Sequence, residues 1–245
     1  MYNKGLAGAF ARATAEQPHF LPTDNILKCA HSSVDKSRFN FVHLVYVQAF
    51  GGAHFKTSPA LERYRAFNNS RLMGDTLSKI IIRPLNPSDS LDELTFLLHK
   101  SYKKLADQGF RFHATHQDVT VTKQRVDNSE CYVATADNII VGTICYRSPT
   151  NEMQHEYYDQ SFVAAFGQFA VDPEYQKSGL GSKLLDVVEK CAIRDRAKEI
   201  AFDTAEGATE LIDYYKKRGY QFVQYTQWTV TNYRSVIMSK KLNAL

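Results

Sequence analysis

The sequence lacks the marks of several protein classes. Its four cysteines, Cys29, Cys131, Cys145 and Cys191, lie far apart and form no Cys-x-x-Cys pair. Such spacing builds neither a zinc site nor a disulfide framework, and free thiols in a reducing cytoplasm are the plainer reading. No run approaches the ~18 consecutive apolar residues of a membrane span. The opening residues "MYNKGLAGAFARATAEQ" hold no unbroken apolar stretch of signal-peptide type. Charge of one sign is not in large excess, because 30 Lys+Arg face 26 Asp+Glu for a formal net charge of +4. Residues 1–78 carry 9 basic and 5 acidic side chains, and residues 79–245 carry 21 of each, so the excess belongs to the first third. A charge that diffuse argues against a nucleic-acid partner. What is left is an expectation of a cytoplasmic chain with no membrane segment and no metal site.

The chain divides near residue 78. From Lys79 onward, periodicity is clear. "KIIIRPL" (79–85) is a short β-rich run ended by Pro84. The next segment has helix-start residues Ser88, Asp89 and Ser90. Leu91, Leu94, Leu97, Leu98, Tyr102 and Leu105 follow at helical spacing, with a stop at Gly109. Residues 118–130 read as a short second helix, and 131–147 as two strands joined by a tight turn at Ala136-Asp137-Asn138. A strand over 162–171, an amphipathic helix after Gly181, a strand over 199–205 and a helix over 209–219 follow. "YQFVQYTQWTV" and "RSVIMSKKL" close the chain as two strands. The order β-α-α-β-β-β-α-β-α-β-β makes the class α/β (α+β) around one mixed sheet. Residues 1–78 show no comparable pattern and read as an extension, flexible or weakly packed. "MGDTLSKIIIRPL" would be a natural start at Met73, against the alternative of an ordered appendage.

Between the strand over 162–171 and the following helix lies "QKSGLGS" (176–182). The first amides of a helix have no intrahelical acceptor, and the helix dipole adds partial positive charge there. Gly179 and Gly181 let the backbone approach an anion without a Cβ in the way. A Walker A loop needs GxxxxGK[ST], and a dinucleotide fingerprint needs a third glycine; neither pattern is met. The spacing Gln-x-x-Gly-x-Gly fits an acyl-CoA loop.

"FAVDPEYQKSGLGSKLLDVVEKCA" resembles the signature motif of the GNAT superfamily of acetyl-CoA-dependent N-acyltransferases. "AFDTAEGATELIDYYKKRGYQFV" is similar to that superfamily's second CoA-side motif, with a tyrosine just before Lys-x-x-Gly-Tyr. The resemblance covers residues 79–245. It implies a mixed sheet of six to seven strands with a splayed central pair, flanked by four helices. It also implies acetyl-CoA as cosubstrate, its pyrophosphate held by the backbone amides of Lys177, Ser178, Gly179, Leu180, Gly181 and Ser182, with Gln176 at the cofactor-binding position usually held by Arg or Gln. Phe169, Ala170 and Val171 would pair through main chain with pantetheine, and the thioester would lie between strands 162–171 and 199–204. Tyr215, at the position of the family's acid, would contact the cosubstrate and protonate the departing thiolate, while its neighbour Tyr214 projects elsewhere.

The reaction is attack of a neutral amine on the thioester carbonyl. It also needs a base and a donor to the developing oxyanion, and a backbone N–H near Phe169 or Val171 would supply the donor. The strand over 162–171 has no carboxylate, and Gln168 can orient an amine or a water but cannot take its proton. Asp203 is the best-placed carboxylate, with Glu206, His113 and His116 as rivals; solvent could also take the proton. Phe110, Phe112, Tyr157, Tyr158, Phe166, Tyr225, Trp228 and Tyr233 crowd the expected acceptor side. The expected acceptor is the primary amine of a small or amino-acid-like molecule, attacking directly in a ternary complex. A peptide N-terminus or lysine is the alternative, as is a non-catalytic acyl-CoA-binding sensor. The closing strands could pair with a second subunit to give a homodimer.

Overall fold

The computed structural model describes residues 62–66 and 79–242. The expected extension over 1–78 and the start at Met73 lie outside the described residues, apart from a short helical segment at 62–66. Seven strands and four helices follow in the expected order. They are β1 (Ile80–Pro84), α1 (Leu91–Asp107), α2 (Val119–Asp127), β2 (Glu130–Ala136), β3 (Ile139–Arg147), β4 (Val163–Val171), α3 (Leu180–Arg194), β5 (Glu199–Ala205), α4 (Thr209–Lys217), β6 (Gln221–Thr226) and β7 (Ser235–Lys241). No helix among the described residues is long and apolar enough to cross a membrane.

Local chemistry accounts for the boundaries. Ser90 caps α1 by accepting the Glu93 amide at 3.2 Å, and Asp118 caps α2 by accepting the Val121 amide at 2.8 Å. The β2–β3 turn places Asp137 and Asn138 at φ of 47° and 64°. Two left-handed residues in a two-residue turn match the twist of a hairpin, and Asp and Asn tolerate that conformation best after glycine.

The strands form one sheet in the order β1-β2-β3-β4-β5-β7-β6. β4 and β5 are its parallel pair, and their other pairings are antiparallel. Helix α3 lays Leu184, Leu185 and Val188 on one face, where Tyr215 of α4 joins them. Helix α1 covers the other face with Leu94, Leu97 and Leu98 against Val133, Ile140, Cys145 and Ala170. Burial on both faces explains why β3 reads as a continuous apolar run rather than an alternating one.

The helical segment at 62–66 contributes one side chain to this core. Tyr64 is buried, meets Phe96 edge-on at 5.3 Å and donates its hydroxyl to Asp172 at 2.5 Å. Lys100 reaches the same hydroxyl and pairs with Asp172 at 3.0 Å.

Candidate functional site

The centre of the sheet is a wedge. β4 and β5 pair only through Val163–Glu199, Ala164–Ile200 and Ala165–Ala201. Past Ala165 the two strands diverge, and among the described residues β4 has no strand partner on its β5 side. Aromatic rings fill the α4 face of the gap. Phe166 stacks on Phe202 at 4.9 Å, and Tyr215 lies 3.9 Å from the Phe202 centroid. On its other edge, β4 carries a bulge. Two steps along β3 from Thr143 to Cys145 match three along β4 from Ala170 to Gly167. Gln168 sits in that bulge at φ 46°, a left-handed conformation unusual for a side chain of its length.

The bulge turns Gln168 beneath the sheet. Its Oε1 accepts from Gln117 Nε2 at 2.9 Å, and its Nε2 donates to Cys145 Sγ at 3.6 Å. Both ends of the expected orienting amide are therefore engaged inside the protein. Phe169 and Val171 lie near the mouth of α3, whereas Ala170 packs on the α1 side. The Phe169 carbonyl accepts from Tyr102 of α1 at 3.0 Å. Burial pushes Tyr102 up to about 12, so that hydroxyl stays a donor.

The loop after β4 is anchored at both ends. Asp172 caps the short 3-10 turn 173–175 through the Glu174 amide at 3.0 Å. Gln176 Nε2 donates to the Val171 carbonyl at 3.1 Å, and Ser178 Oγ donates to the Tyr175 carbonyl at 2.6 Å. Lys177 and Gly179 both take positive φ, 61° and 82°. Among the described residues, the amides of Lys177, Ser178, Gly179, Leu180, Gly181 and Ser182 donate to no backbone carbonyl, and the first such bond belongs to Lys183. Six bare amides at a helix N-terminus form a cradle for an anion. A Cβ on Gly181 would lie 3.3 Å from Phe169 Cζ and 3.5 Å from Tyr214 Oη, so the cradle is tight as well as open.

The two tyrosines of α4 part as their spacing predicts. Tyr214 Oη lies 3.5 Å from Ser182 Oγ, beside the amide cradle. Tyr215 is buried in the aromatic wedge and lines the cavity there. Burial holds its phenol well above the ordinary tyrosine range, so it is a neutral O–H at any working pH.

On the far side of the wedge lies a cavity of about 290 Å³. Tyr215, Phe166, Gln168 and Asp203 line it, together with Tyr102, Phe112, Trp228 and Tyr233. Asp203 accepts from Trp228 Nε1 at 2.9 Å. Burial raises its carboxyl pKa, opposed by the hydrogen bond from Trp228 and by the Arg125 and His155 charges. Its rivals are less well placed. Glu206 is ion-paired with Arg234 at 2.6 Å on the surface. His116 faces solvent and its Nδ1 meets Thr115 Oγ1 at 3.1 Å. His113 lines the cavity, but its Nδ1 is 3.1 Å from Arg125 Nη1. A guanidinium can only donate, so His113 accepts there as a neutral ring, and burial with the Arg125 charge lowers its pKa.

Of the aromatic residues expected here, Phe112, Phe166, Trp228 and Tyr233 reach the cavity. Phe110 backs Phe112 and Tyr233, while Tyr225 is exposed beneath Arg234. Sequence reasoning missed Arg125, Arg147 and Tyr102. Nothing marks them along the chain, because they meet only when α2, β3 and α1 fold over the wedge.

The chain can be placed among known proteins. The profile of the acetyltransferase (GNAT) family matches residues 95–220. The S-(2-succino)cysteine N-acetyltransferase of Bacillus subtilis (strain 168) is 33% identical over 135 residues, which are 54% of this chain and 78% of that protein. The S-alkylcysteine N-acetyltransferase of the same organism is 28% identical over 136 residues, 54% of this chain and 74% of that protein. A Salmonella typhimurium structure solved with its cofactor acetyl-CoA superimposes with a TM-score of 0.50 at 13% identity, over 68% of this chain and 95% of that one. At that identity the likeness is one of fold.

Proposed function

The chain belongs to the GNAT family of acetyl-CoA-dependent N-acetyltransferases, and we propose that its acceptor is the α-amine of a small S-substituted cysteine. One observation carries this reading. The wedge opens on one side to the amide cradle and on the other into a cavity of about 290 Å³, the scale of a small-molecule site. An amino acid fits such a space, and two relatives act on S-substituted cysteines.

The fit to the cosubstrate rests on the bare amides from Lys177 to Ser182 and on Gly181, whose missing side chain leaves the cradle open. These groups would hold the pyrophosphate, with Tyr214 at their edge. The β4 edge at Phe169, Ala170 and Val171, which β5 does not cover, would pair with the pantetheine amides, and a backbone N–H of that edge would face the thioester oxygen. Gln176 supports this edge from behind by tying the Val171 carbonyl to the loop.

Acetyl-CoA supplies the activated acetyl group. The residues around it then have separable tasks. Asp203 takes the proton of the incoming amine, directly or through one water. Its raised pKa suits it to that exchange better than a solvated carboxylate would be. Tyr215 offers its hydroxyl to the departing sulfur. Its own raised pKa makes it a dependable donor and a poor base. Gln168 acts indirectly, locking the bulge that gives β4 its path past the wedge. The amine attacks the thioester carbon within a ternary complex, so no covalent enzyme intermediate is required.

Thiol release from acetyl-CoA, followed across S-substituted cysteines, free lysine and short peptides at pH 7 to 9, tests the acceptor. Turnover confined to the cysteine derivatives is expected. Preference for a peptide N-terminus would replace this acceptor with a protein one, and thermal stabilisation by CoA without turnover on any amine would favour a sensor.

A further inference from the structure

Two guanidinium groups in the acceptor cavity form no ion pair among the described residues. Arg125 comes from α2 and Arg147 from the end of β3, and both line the cavity. The ion-paired arginines among the described residues are Arg83, Arg194, Arg218 and Arg234. Arg125 and Arg147 are not among them. Asp203, the carboxylate in the cavity lining, is bonded to Trp228 and ion-paired with neither, so it offsets their charge only from a distance.

Arg125 is held with one edge free. Nη1 donates to His113, while Nε is buried and has no partner among the described residues. Nη2 reaches over β4, 3.6 Å from the point where a Cβ on Gly167 would sit. The Nε–Nη2 edge is the fork that grips a carboxylate through two parallel bonds. Its Nη2 end lies over β4 at Gly167, beside the wedge. Arg147 stands one strand farther out, opposite Ala165 on the β3–β4 ladder. Burial, first, and the neighbouring Arg125 charge lower its pKa, opposed by Cys145, Tyr158 and Asp203. The buried Tyr158 hydroxyl is also unpartnered, and it sits close enough to couple with Arg147. Buried guanidinium and hydroxyl groups left without partners are costly unless a ligand completes them.

We propose that the acceptor has at least two carboxylates: Arg125 binds the carboxylate next to the amine, and Arg147 binds a carboxylate on the sulfur substituent. This rests on the S-substituted cysteine reading of the acceptor. It separates acidic S-substituents, as in S-(2-succino)cysteine, from plain S-alkyl ones.

S-(carboxymethyl)cysteine and S-(carbamoylmethyl)cysteine have nearly the same shape and differ in charge. Their kcat/KM ratio in the wild-type protein, with S-methylcysteine as a third acceptor, decides the matter. The carboxylate is expected to win by roughly tenfold or more, the scale of a charge-assisted pair. In Arg147→Gln the ratio should collapse towards one. A wild-type ratio near one overturns the proposal whether or not any variant folds. A ratio that survives Arg147→Gln, with both acceptors slowed alike, also overturns it, because a structural role would act that way. Efficient use of S-methylcysteine alone would sink the carboxylate on the sulfur substituent and keep the cysteine reading. Turnover of none of the three would end both.

Discussion

Gly181→Asp separates ligand binding from folding, because its two effects have opposite signs. Gly181 is the second residue of α3, after the Gly179 cap. Its backbone is ordinary helix, so a side chain relieves the glycine penalty of about 0.5–1 kcal/mol. A carboxylate in the first turn faces the positive end of the helix dipole and adds about 0.3–1 kcal/mol. Against this, the new Cβ lies 3.3 Å from Phe169 Cζ, and that partly exposed ring must move by a few tenths of an ångström. The apo fold should therefore hold or gain slightly. Bound CoA meets the reverse situation. Two unit charges about 4 Å apart at an effective dielectric near 20 repel by about 4 kcal/mol, close to a thousandfold in affinity. Calorimetric titration with CoA, beside thermal unfolding without it, reads both effects. Gly181→Ala, which adds the Cβ without the charge, should lose much less. An Asp variant that binds CoA within about fivefold of wild type would refute the placement of the pyrophosphate at these amides.

Other perturbations reach the remaining groups. Tyr215→Phe should lower kcat by about a hundredfold or more with little change in CoA affinity, as measured by stopped-flow thiol release; equal turnover would remove Tyr215 from the reaction. Asp203→Asn should lower kcat/KM by about a hundredfold or more, leaving the amine's own deprotonation as the acidic limb of the profile. The folded pKa of Asp203 is raised, so its contribution to stability is full below the unfolded value and is lost as pH rises through the folded one. Thermal melts of wild type against Asp203→Asn should therefore converge at acid pH and favour the asparagine as pH rises; the opposite trend would mean that Asp203 is stabilised as a carboxylate. Tyr64→Phe removes a hydroxyl from buried Asp172 and should cost about 1–3 kcal/mol in urea unfolding. No change would mean that Lys100 and the Glu174 amide satisfy that carboxylate without it.

The architecture was legible because its signals are local. Ser90 and Asp118 cap the helices they precede, Asp137-Asn138 makes the hairpin, and the bare loop from Lys177 to Ser182 opens α3. One-residue spacing was enough to send Tyr214 to the loop and Tyr215 to the wedge. Features that depend on distant partners were not legible. Trp228 binds Asp203 across 25 positions, and Gln168 meets Gln117 across 51. The bulge at Gln168 leaves no mark, since glutamine has no preference for positive φ. The two arginines stand on a short helix and at a strand end, where nothing in the sequence marks them. Only the register of β3 against β4, with α2 laid above, brings them into one cavity.

The most direct test is the product itself. Purified protein, acetyl-CoA and S-(2-succino)cysteine should yield one equivalent of free CoA thiol and the cysteine derivative acetylated on its α-amine, identified by mass spectrometry and NMR. Thiol release with no N-acetyl product, or neither product beside clear CoA binding, would contradict a catalytic wedge between β4 and β5.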